Sequence, residues 1–271
     1  MEAEQRQRMN ALQHPIPLGF DLLSKVHGLA HGVFTRHGGV SRPPYATLNT
    51  AWNNGDSQDA VRENLMRISD ALALGQLVTS PQVHGDTIRF IDEEALLRAE
   101  KRFPILVTQP GDALVTCLRS VGLVIKIADC QAIFLVDPTR RVVANVHSGW
   151  RGSVLNLAGK TVQFLKDRFG CHPGDILATV SPSLGPCCAE FRNYRNELPE
   201  EFFPYQVKPL HFDFWAIARR QLTEAGIEPE HIEIAGRCTV CETEDFFSYR
   251  GEKPSTGRMA AVIGWKPDTG E

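Results

Sequence analysis

Three short apolar runs near the middle of the chain constrain its fold most strongly. They are Leu123–Ile127, Ala132–Val136 and Val142–Val146. Each run is rich in β-branched residues and bounded by polar or turn-forming residues, a pattern that predicts a strand. Asp137 and Pro138 mark a turn between the second and third runs. We therefore expect buried strands joined by short connections at the centre of the molecule.

Two reactive side chains lie at the ends of these runs. Cys130 stands between the first two runs, and His147 follows the third. A thiol and an imidazole that meet at strand ends can act as a nucleophile and its base, or as two ligands of a metal ion. A buried free cysteine can also serve only as a small apolar residue. The residues alone leave these alternatives open.

The rest of the chain alternates between helical and extended patterns. Helices are predicted at Asp59–Ala73, Ser153–Phe169 and Phe214–Ala225, with Ser57 and Asp213 as N-caps and Gly75 as the stop of the first helix. Further strands are predicted at Val33–Thr35, Thr87–Ile91, Asp112–Thr116, Ile176–Val180, Phe246–Tyr249 and Met259–Ile263. This order predicts an α+β fold, that is, an α/β-type fold with a mixed sheet. We expect one domain over residues 1–271, with a flexible N-terminal segment over residues 1–15.

Composition and charge exclude several classes of partner. The net charge is -3 and the chain has no long basic block, which argues against nucleic acid. No apolar run approaches the roughly 18 residues that a membrane span needs, and Met1–Gln13 has no apolar core of the kind found in secretory signals. The expected location is the cytoplasm. The seven cysteines are too scattered for a disulfide scaffold, so they are expected as core residues, metal ligands or catalytic thiols.

A third residue, His84, follows an extended segment and precedes Gly85. If it converges with Cys130 and His147, two imidazoles and one thiolate form a three-ligand zinc site with an open fourth position. Such a site is the catalytic type, in which the pKa of bound water falls to about 7. The turn His147–Gly152 enters a predicted helix and suits an anion at its backbone N–H groups.

Other polar residues offer weaker indications. Arg36 lies beside Gly38 and Gly39, where a phosphate or carboxylate could bind, or where the glycines only permit a tight turn. Asp129 could orient a ligand or cap a turn. The pair Cys238 and Cys241 is a lone C-x-x-C, and Cys187-Cys188 is a poor second half for a metal site because adjacent cysteines rarely chelate one ion well. We therefore expect these cysteines to pack in the core or to line the site.

A series of motifs is more specific than any single residue. In order, they are Phe34–Ser41, Leu48-Asn49, Gly55-Asp56, Gln82–Gly85, Gly111–Ala113, Ala128–Cys130, His147–Gly152, Gly185–Cys188, Cys238-Thr239, Phe246–Arg250 and Thr256–Arg258. This series resembles the laccase-domain family, long labelled multicopper polyphenol oxidases and later reassigned as purine nucleoside phosphorylases. The resemblance covers roughly residues 30 to 265.

The resemblance implies a cytoplasmic enzyme with one zinc ion, held by His84, Cys130 and His147. It implies phosphorolysis of adenosine, inosine and methylthioadenosine, and deamination of adenosine. The implied fold is a layered α/β/β/α arrangement shared with a toxin deamidase that uses a Cys/His pair. A nucleoside and phosphate are the expected partners, and the sequence does not indicate an oligomeric state.

Candidate roles in this reaction follow for further residues. Arg36, Arg151 and Arg250 are the candidates for binding phosphate or substrate, and Asp129 is the candidate for proton transfer. Copper is disfavoured, because a multicopper centre needs many paired histidines and this chain has nine histidines and no H-x-H pair. The chain departs from the usual family pattern at Ser148, Gln131, Ala132 and Ala189, and the changes at Gln131 and Ala189 are expected to alter the pocket wall.

Two other functions remain open at this stage. The first is a cysteine hydrolase or amidase with Cys130 as nucleophile and His147 as base, acting on cell-wall precursors. The second is a non-catalytic protein that binds a nucleotide or a metal ion.

Overall fold

The computed structural model describes residues 15–252 and 255–268. The strands are β1 (Pro17–Leu18), β2 (Leu29–Phe34), β3 (Gln76–Thr79), β4 (Ile88–Phe90), β5 (Glu100–Arg102), β6 (Ile105–Val107), β7 (Ala113–Thr116), β8 (Val121–Ile127), β9 (Gln131–Asp137), β10 (Val142–Ser148), β11 (Leu177–Val180), β12 (Gln206–Lys208), β13 (His211–Phe212), β14 (Ile232–Ile234) and β15 (Met259–Trp265). The helices are α1 (Asp21–Ser24), α2 (Gln58–Leu72), α3 (Glu93–Arg98), α4 (Trp150–Val154), α5 (Leu157–Phe169), α6 (Tyr194–Glu197), α7 (Phe214–Glu224) and α8 (Tyr249–Glu252). Short 3-10 turns occupy Pro173–Asp175, Glu200–Tyr205 and Pro229–His231.

Most strands belong to two large mixed sheets. The first sheet has seven strands in the order β1-β2-β15-β8-β3-β6-β5, and the second has six in the order β14-β11-β9-β10-β7-β4. Strand β3 runs parallel to β6 and β8, whereas β8 pairs antiparallel with β15. In the second sheet β9 pairs antiparallel with β10, and β11 pairs parallel with β14. The predicted mixed-sheet fold is confirmed.

The two sheets pack face to face and carry helices on their outer faces. Side chains from both sheets form the core between them, for example Ile125 of the first sheet with Phe134 and Val136 of the second. Alternate residues point to opposite faces of a strand, so Val124 packs instead against α2 through Leu65. Helices α5 and α7 cover the outer face of the second sheet. The layers therefore run helix, sheet, sheet, helix.

The three central runs and the two N-caps are confirmed. The runs form β8, β9 and β10. Ser57 accepts a hydrogen bond from the backbone N–H of Ala60, and Asp213 accepts from those of Trp215 and Ala216. In both helices the side chain satisfies N–H groups that have no partner inside the helix.

Three local predictions were wrong. The predicted stop at Gly75 is not used, because α2 ends at Leu72 and Ala73 takes the left-handed conformation at φ 52°. The helix predicted at Ser153–Phe169 is divided into α4 and α5, since Asn156 adopts a left-handed φ of 51° and caps α5 through the N–H of Gly159. Asparagine tolerates this conformation better than most residues and is a favoured N-cap.

The third error concerns Phe246–Tyr249, which is not a strand. Phe246 and Phe247 are fully buried in the core between the sheets, while Tyr249 begins the short helix α8. Phe246 and Phe247 are therefore apolar because this irregular segment is buried, and they do not belong to the alternating pattern of a strand.

None of the helices in the described residues is long and apolar enough to cross a membrane. The flexible segment predicted over residues 1–15 lies outside the described residues except for Pro15. The single-domain prediction stays a prediction.

Candidate functional site

The predicted triad of His84, Cys130 and His147 converges at one end of the sheets. Cys130 lies in the turn between β8 and β9, His147 near the end of β10, and His84 in the connection from β3 to β4. The ligand atoms of the three side chains all lie within 4.8 Å of one another. The Sγ atom of Cys130 is 4.0 Å from Nε2 of His84, and the two imidazole rings are 4.9 Å apart.

The pairing of β9 with β10 explains part of this convergence. It sets Gln131 opposite Ser148 and Ala132 opposite His147, so Cys130 lies beside Gly149. A Cβ atom on Gly149 would lie 2.8 Å from the Cys130 sulfur and 3.5 Å from the His84 ring. Only glycine leaves room for the thiol at this position.

A carboxylate that the sequence analysis did not assign, Asp112, holds both histidines. It accepts hydrogen bonds from the backbone N–H groups of Val83, His84 and Gly85, at 3.2, 3.0 and 2.8 Å. These bonds hold the turn in which His84 adopts a left-handed φ of 58°. The Nδ1 atom of His147 lies 2.8 Å from Oδ1 of Asp112. This contact orients the imidazole and leaves its Nε2 atom for the site.

Cys130 and His147 perturb each other strongly. Burial disfavours the charged form of His147, but the Cys130 thiolate and the Asp112 carboxylate outweigh it and raise its pKa to about 9. Burial also disfavours the Cys130 thiolate, but the charge and hydrogen bond of His147, together with His84, lower the pKa of the thiol to about 6. The site therefore stabilises a thiolate at neutral pH.

These residues form a suitable donor set for a metal ion. Two imidazole nitrogens and one thiolate are the ligands of zinc sites that keep a fourth position open. A histidine ligand commonly donates its other ring N–H to a carboxylate, which orients the ring and fixes its tautomer. The Asp112–His147 contact has this form. The same chain of Asp112, His147 and Cys130 also resembles the nucleophile–base arrangement of cysteine hydrolases.

The three residues open into a cavity of about 690 Å³. The wall also contains four aromatic side chains, Trp150, Phe191, Phe214 and Tyr249. Its cationic side chains are Lys126, Arg250 and Arg258. An apolar wall with a few charged groups is typical of a pocket for a small molecule.

Of the three arginines predicted to bind phosphate or substrate, only Arg250 lines this cavity. The Arg36 guanidinium donates to the Glu252 carboxylate at 2.9 Å and lies 4.6 Å from the centre of the Phe247 ring. Arg151 is exposed and lies over the Trp150 ring, outside the cavity wall. The geometry thus favours a role for Arg36 in packing of the C-terminal segment and places neither residue in the cavity wall, and phosphate binding by either one stays a prediction.

Asp129 lines the cavity, but its carboxylate is occupied. It accepts hydrogen bonds from Thr239 Oγ1 at 2.7 Å, Ser248 Oγ at 2.6 Å and the Arg250 backbone N–H at 2.6 Å. Because it accepts three hydrogen bonds, the Asp129 carboxylate joins the segments that contain Thr239, Ser248 and Arg250. This favours a positioning role for Asp129 over the predicted proton transfer.

Sequence reasoning missed Lys126 as a cavity residue, and it named Arg258 only as part of the motif Thr256–Arg258. Lys126 interrupts the apolar run of β8, between Ile125 and Ile127, and a cation inside a buried strand was the available signal. Gln131 lines the cavity as expected, and its Oε1 atom is buried without a hydrogen-bond partner among the described residues. Ala189 is buried in a separate apolar cluster and does not line the cavity.

The C-x-x-C pair does not line the cavity either. Cys238 and Cys241 lie beside Cys187 and Cys188, and the four sulfur atoms all lie within 4.8 Å of one another. The predicted packing in the core holds for Cys238, which is buried, whereas Cys187 and Cys241 are exposed. That Cys187-Cys188 makes a poor second half of a metal site stays a prediction. The two pairs face each other although Cys188 and Cys238 lie 50 positions apart in the chain.

Comparison with known proteins gives consistent results. The family model described as multi-copper polyphenol oxidoreductase laccase matches residues 30–266. A curated protein of Geobacillus stearothermophilus, named purine nucleoside phosphorylase YlmD, is 35% identical over 249 residues, which cover 88% of this chain and 90% of that protein. Purine nucleoside phosphorylase YfiH of Escherichia coli is 33% identical over 250 residues, with coverage of 87% and 93%.

Solved structures show the same fold. The crystal structure of YlmD from Geobacillus stearothermophilus matches with a TM-score of 0.82 and 32% identity, covering 94% of this chain and 97% of that one. The crystal structure of YfiH from Bacillus licheniformis matches with a TM-score of 0.82, 28% identity and the same coverage. Because the family model and these relatives span most of the chain, the protein belongs to the multi-copper polyphenol oxidoreductase laccase family.

Proposed function

We propose that this protein is a purine nucleoside phosphorylase that contains one zinc ion in its active site. The observation that carries the proposal is the single cavity that combines an aromatic wall, cationic side chains and the cluster of His84, Cys130 and His147. The relatives named purine nucleoside phosphorylase support it, since they match this chain over nearly its whole length. The expected substrates are adenosine, inosine and methylthioadenosine.

The cationic side of the cavity fits phosphate. The Lys126 ammonium has no hydrogen-bond or ion-pair partner among the described residues, and burial together with the nearby Arg102 lowers its pKa to about 8. A bound anion would supply the missing opposite charge and favour the protonated amine. Arg250 and Arg258 line the same cavity and offer planar guanidinium groups to phosphate oxygens. These three residues replace Arg36 and Arg151 as our candidates.

The aromatic side of the cavity fits a nucleoside. Trp150, Phe191, Phe214 and Tyr249 offer ring faces to a purine. Gln131 lines the same cavity, and its Oε1 atom is buried without a hydrogen-bond partner among the described residues. In phosphorolysis a phosphate oxygen bonds to the anomeric carbon while the bond from that carbon to the purine nitrogen breaks. The cavity would hold the two reactants together in the required geometry.

The donor set favours zinc over a multicopper centre. Among the residues that the structure describes, two side-chain groups are placed to hold a metal ion, and they contain only two histidines between them. A trinuclear copper cluster needs many more imidazoles. His84, Cys130 and His147 would hold the zinc ion, with Asp112 orienting His147. When bound, zinc would act as a Lewis acid in the cavity.

Adenosine deamination at the same site is part of the proposal, as is a cytoplasmic location. The seven cysteines all lie in described segments and all are free thiols, which fits a reducing compartment.

The first test is a product analysis with the purified, zinc-loaded protein. We expect adenosine to yield adenine and ribose 1-phosphate only when inorganic phosphate is present, and inosine to appear with or without phosphate if the protein deaminates. Cys130→Ala should lose both zinc and turnover, because it removes one of three ligands. Cys117→Ser, at an exposed cysteine outside both metal-ligating groups, is the matched control. Failure to turn over any of the three nucleosides would contradict the proposal.

A second candidate, a metal-independent cysteine hydrolase or amidase, rests on the chain of Asp112, His147 and Cys130 and on the lowered pKa of the thiol. Its proposed substrates are cell-wall precursors, and the proposed toxin-deamidase-like fold is consistent with such chemistry. It predicts that protein stripped of metal by a chelator keeps its activity and that thiol alkylation abolishes it. Zinc-dependent phosphorolysis that is lost on chelation would exclude it.

A further inference from the structure

The four cysteines away from the cavity form a second group of potential metal ligands. Cys187 and Cys188 lie in the turn that follows β11, and Cys238 and Cys241 in the turn that follows β14. Strands β11 and β14 are parallel neighbours, with Val180 opposite Ile234. Both chain segments therefore leave the sheet at the same edge, and an isolated bridge between Ser183 and Cys238 keeps them side by side.

The sulfur atoms have the spacing that a tetrahedral metal site requires. The Cys241 sulfur is 3.5 Å from that of Cys187 and 3.6 Å from that of Cys188, and all four sulfurs lie within 4.8 Å of one another. With zinc–sulfur bonds of about 2.3 Å, the edge of a tetrahedron of ligands is about 3.8 Å. The two distances from Cys241 are slightly shorter than this value, and no pair of the four sulfurs is more than 4.8 Å apart. Small side-chain rotations would bring the four sulfurs into place.

The backbone around Cys238 is arranged to hold a thiolate. The N–H of Gly185 donates to its sulfur at 3.3 Å, and the N–H groups of Val240 and Cys241 also point toward it. Cys238 is buried. Donors aimed at one sulfur stabilise negative charge there. In addition, the Lys208 ammonium donates to the Cys187 carbonyl at 2.9 Å, which places a cation beside the cluster.

We propose that Cys187, Cys188, Cys238 and Cys241 bind one zinc ion in a closed tetrathiolate site, separate from the site at His84, Cys130 and His147. Thiolate ligands select soft or borderline metal ions over magnesium and calcium. Four protein ligands fill the tetrahedral shell and leave no position for a substrate, so this site is structural.

The site would brace one wall of the cavity. Both turns contact Asp129, because the Leu184 N–H donates to its carbonyl at 2.8 Å and the Thr239 hydroxyl donates to its carboxylate at 2.7 Å. Asp129 precedes Cys130, and Leu184 lines the cavity. A metal ion that joins the two turns would therefore hold this segment of the wall. The inference stands on these contacts and does not depend on the reaction proposed above.

The test is the metal content of purified protein, measured by elemental mass spectrometry after growth with added zinc. We expect two zinc ions per chain in the native protein and one in Cys241→Ser. Cys130→Ala should also hold one, and Cys117→Ser, the matched control, should keep two. Equal zinc contents in the native protein and in Cys241→Ser would overturn the proposal.

A second measurement does not depend on the folding of a cluster variant. Cys130→Ala, which keeps all four cysteines, is loaded with Co²⁺ in place of zinc. We expect the strong sulfur-to-cobalt charge-transfer bands and visible bands of a tetrahedral tetrathiolate site. The absence of these bands would overturn the proposal. A disulfide within the cluster would also overturn the proposal, because it would show a redox pair in place of a metal site. To detect it, the protein is purified without a reductant and blocked at once with an alkylating agent, and its intact mass and peptides are then analysed.

Discussion

At the scale of single residues, Asp112 organises the proposed active site. Its carboxylate receives three backbone N–H groups from the turn of His84 and contacts the ring of His147. One side chain thus sets the position of two proposed metal ligands, one in the turn after β3 and one in β10. Asp112 touches no cavity surface itself, so we regard it as a positioning residue.

We expect Asp112→Asn to weaken zinc binding by about 10- to 100-fold, the usual cost of losing a partner that orients a metal-bound histidine. The amide keeps the size of the side chain but removes its negative charge. Competition with a chromogenic chelator measures the affinity. Asp86→Asn is the control, because Asp86 is an exposed carboxylate paired with Lys160 and should keep native affinity. Unchanged affinity in the Asp112 variant would contradict this role.

At the scale of elements, helix α7 connects the core to the cavity. Its first residue, Phe214, lines the cavity, and the Gln221 side chain donates to the carbonyl of Ser153 in α4. The N-terminus of the helix depends on Asp213, which accepts hydrogen bonds from Trp215 and Ala216 at 3.0 and 2.9 Å. Loss of this cap should affect the stability of the whole layer.

We expect Asp213→Ala to lower the free energy of unfolding by about 1 kcal/mol, because two N–H groups lose their acceptor. Asp213→Asn should remain near the native value, since asparagine is an equally good N-cap. Urea denaturation followed by circular dichroism compares the three proteins. Equal free energies of unfolding for the alanine and asparagine variants would contradict this prediction, because they would show that the hydrogen bonds at the cap do not stabilise the protein.

At the scale of the whole molecule, the half-buried cation Lys126 links stability to pH. Burial and the neighbouring Arg102 lower its pKa from 10.5 to about 8 in the folded state. Below pH 8 Lys126 is protonated in both the folded and the unfolded protein, and the desolvation of its charge destabilises the folded state. Between pH 8 and 10.5 the folded state releases its proton while the unfolded state keeps it. The free energy of unfolding, compared with that of a protein with a neutral side chain at this position, must therefore rise between pH 8 and 10.5.

We expect Lys126→Met to be more stable than the native protein at pH 7, with a stability difference that shrinks steadily between pH 8 and 10.5. The free energies of unfolding of the native protein and of Lys126→Met are measured across this pH range and subtracted. The contributions of all other titrating groups are the same in both proteins and cancel in this difference. Phosphate should reduce the difference at pH 7 if it pairs with Lys126. A difference that stays constant with pH would show that the ammonium is solvated in the folded protein.

Local patterns in the sequence were sufficient for the central strands and for two helix caps, and they singled out Cys130 and His147 as candidate site residues. Periodicity reports which residues are buried, and so β8, β9, β10 and the caps at Ser57 and Asp213 were predicted correctly. The same reasoning failed at Phe246–Tyr249, because over so short a stretch a buried irregular segment has the same apolar pattern as a strand. The family resemblance added what spacing could not, namely that His84 belongs with Cys130 and His147.

The sequence by itself thus determined the mixed-sheet fold, the family and the cluster of His84, Cys130 and His147, since each depends on local patterns or on motifs recognised in order. Only the tertiary structure decided which charged groups face the cavity. It placed Lys126 and Arg258 in the cavity wall and left Arg36 and Arg151 outside it, and it showed Asp112 behind both histidines. It also joined Cys188 to Cys241 through the parallel pairing of β11 and β14. Such contacts arise from pairing between distant strands, for which the chain carries no local signal.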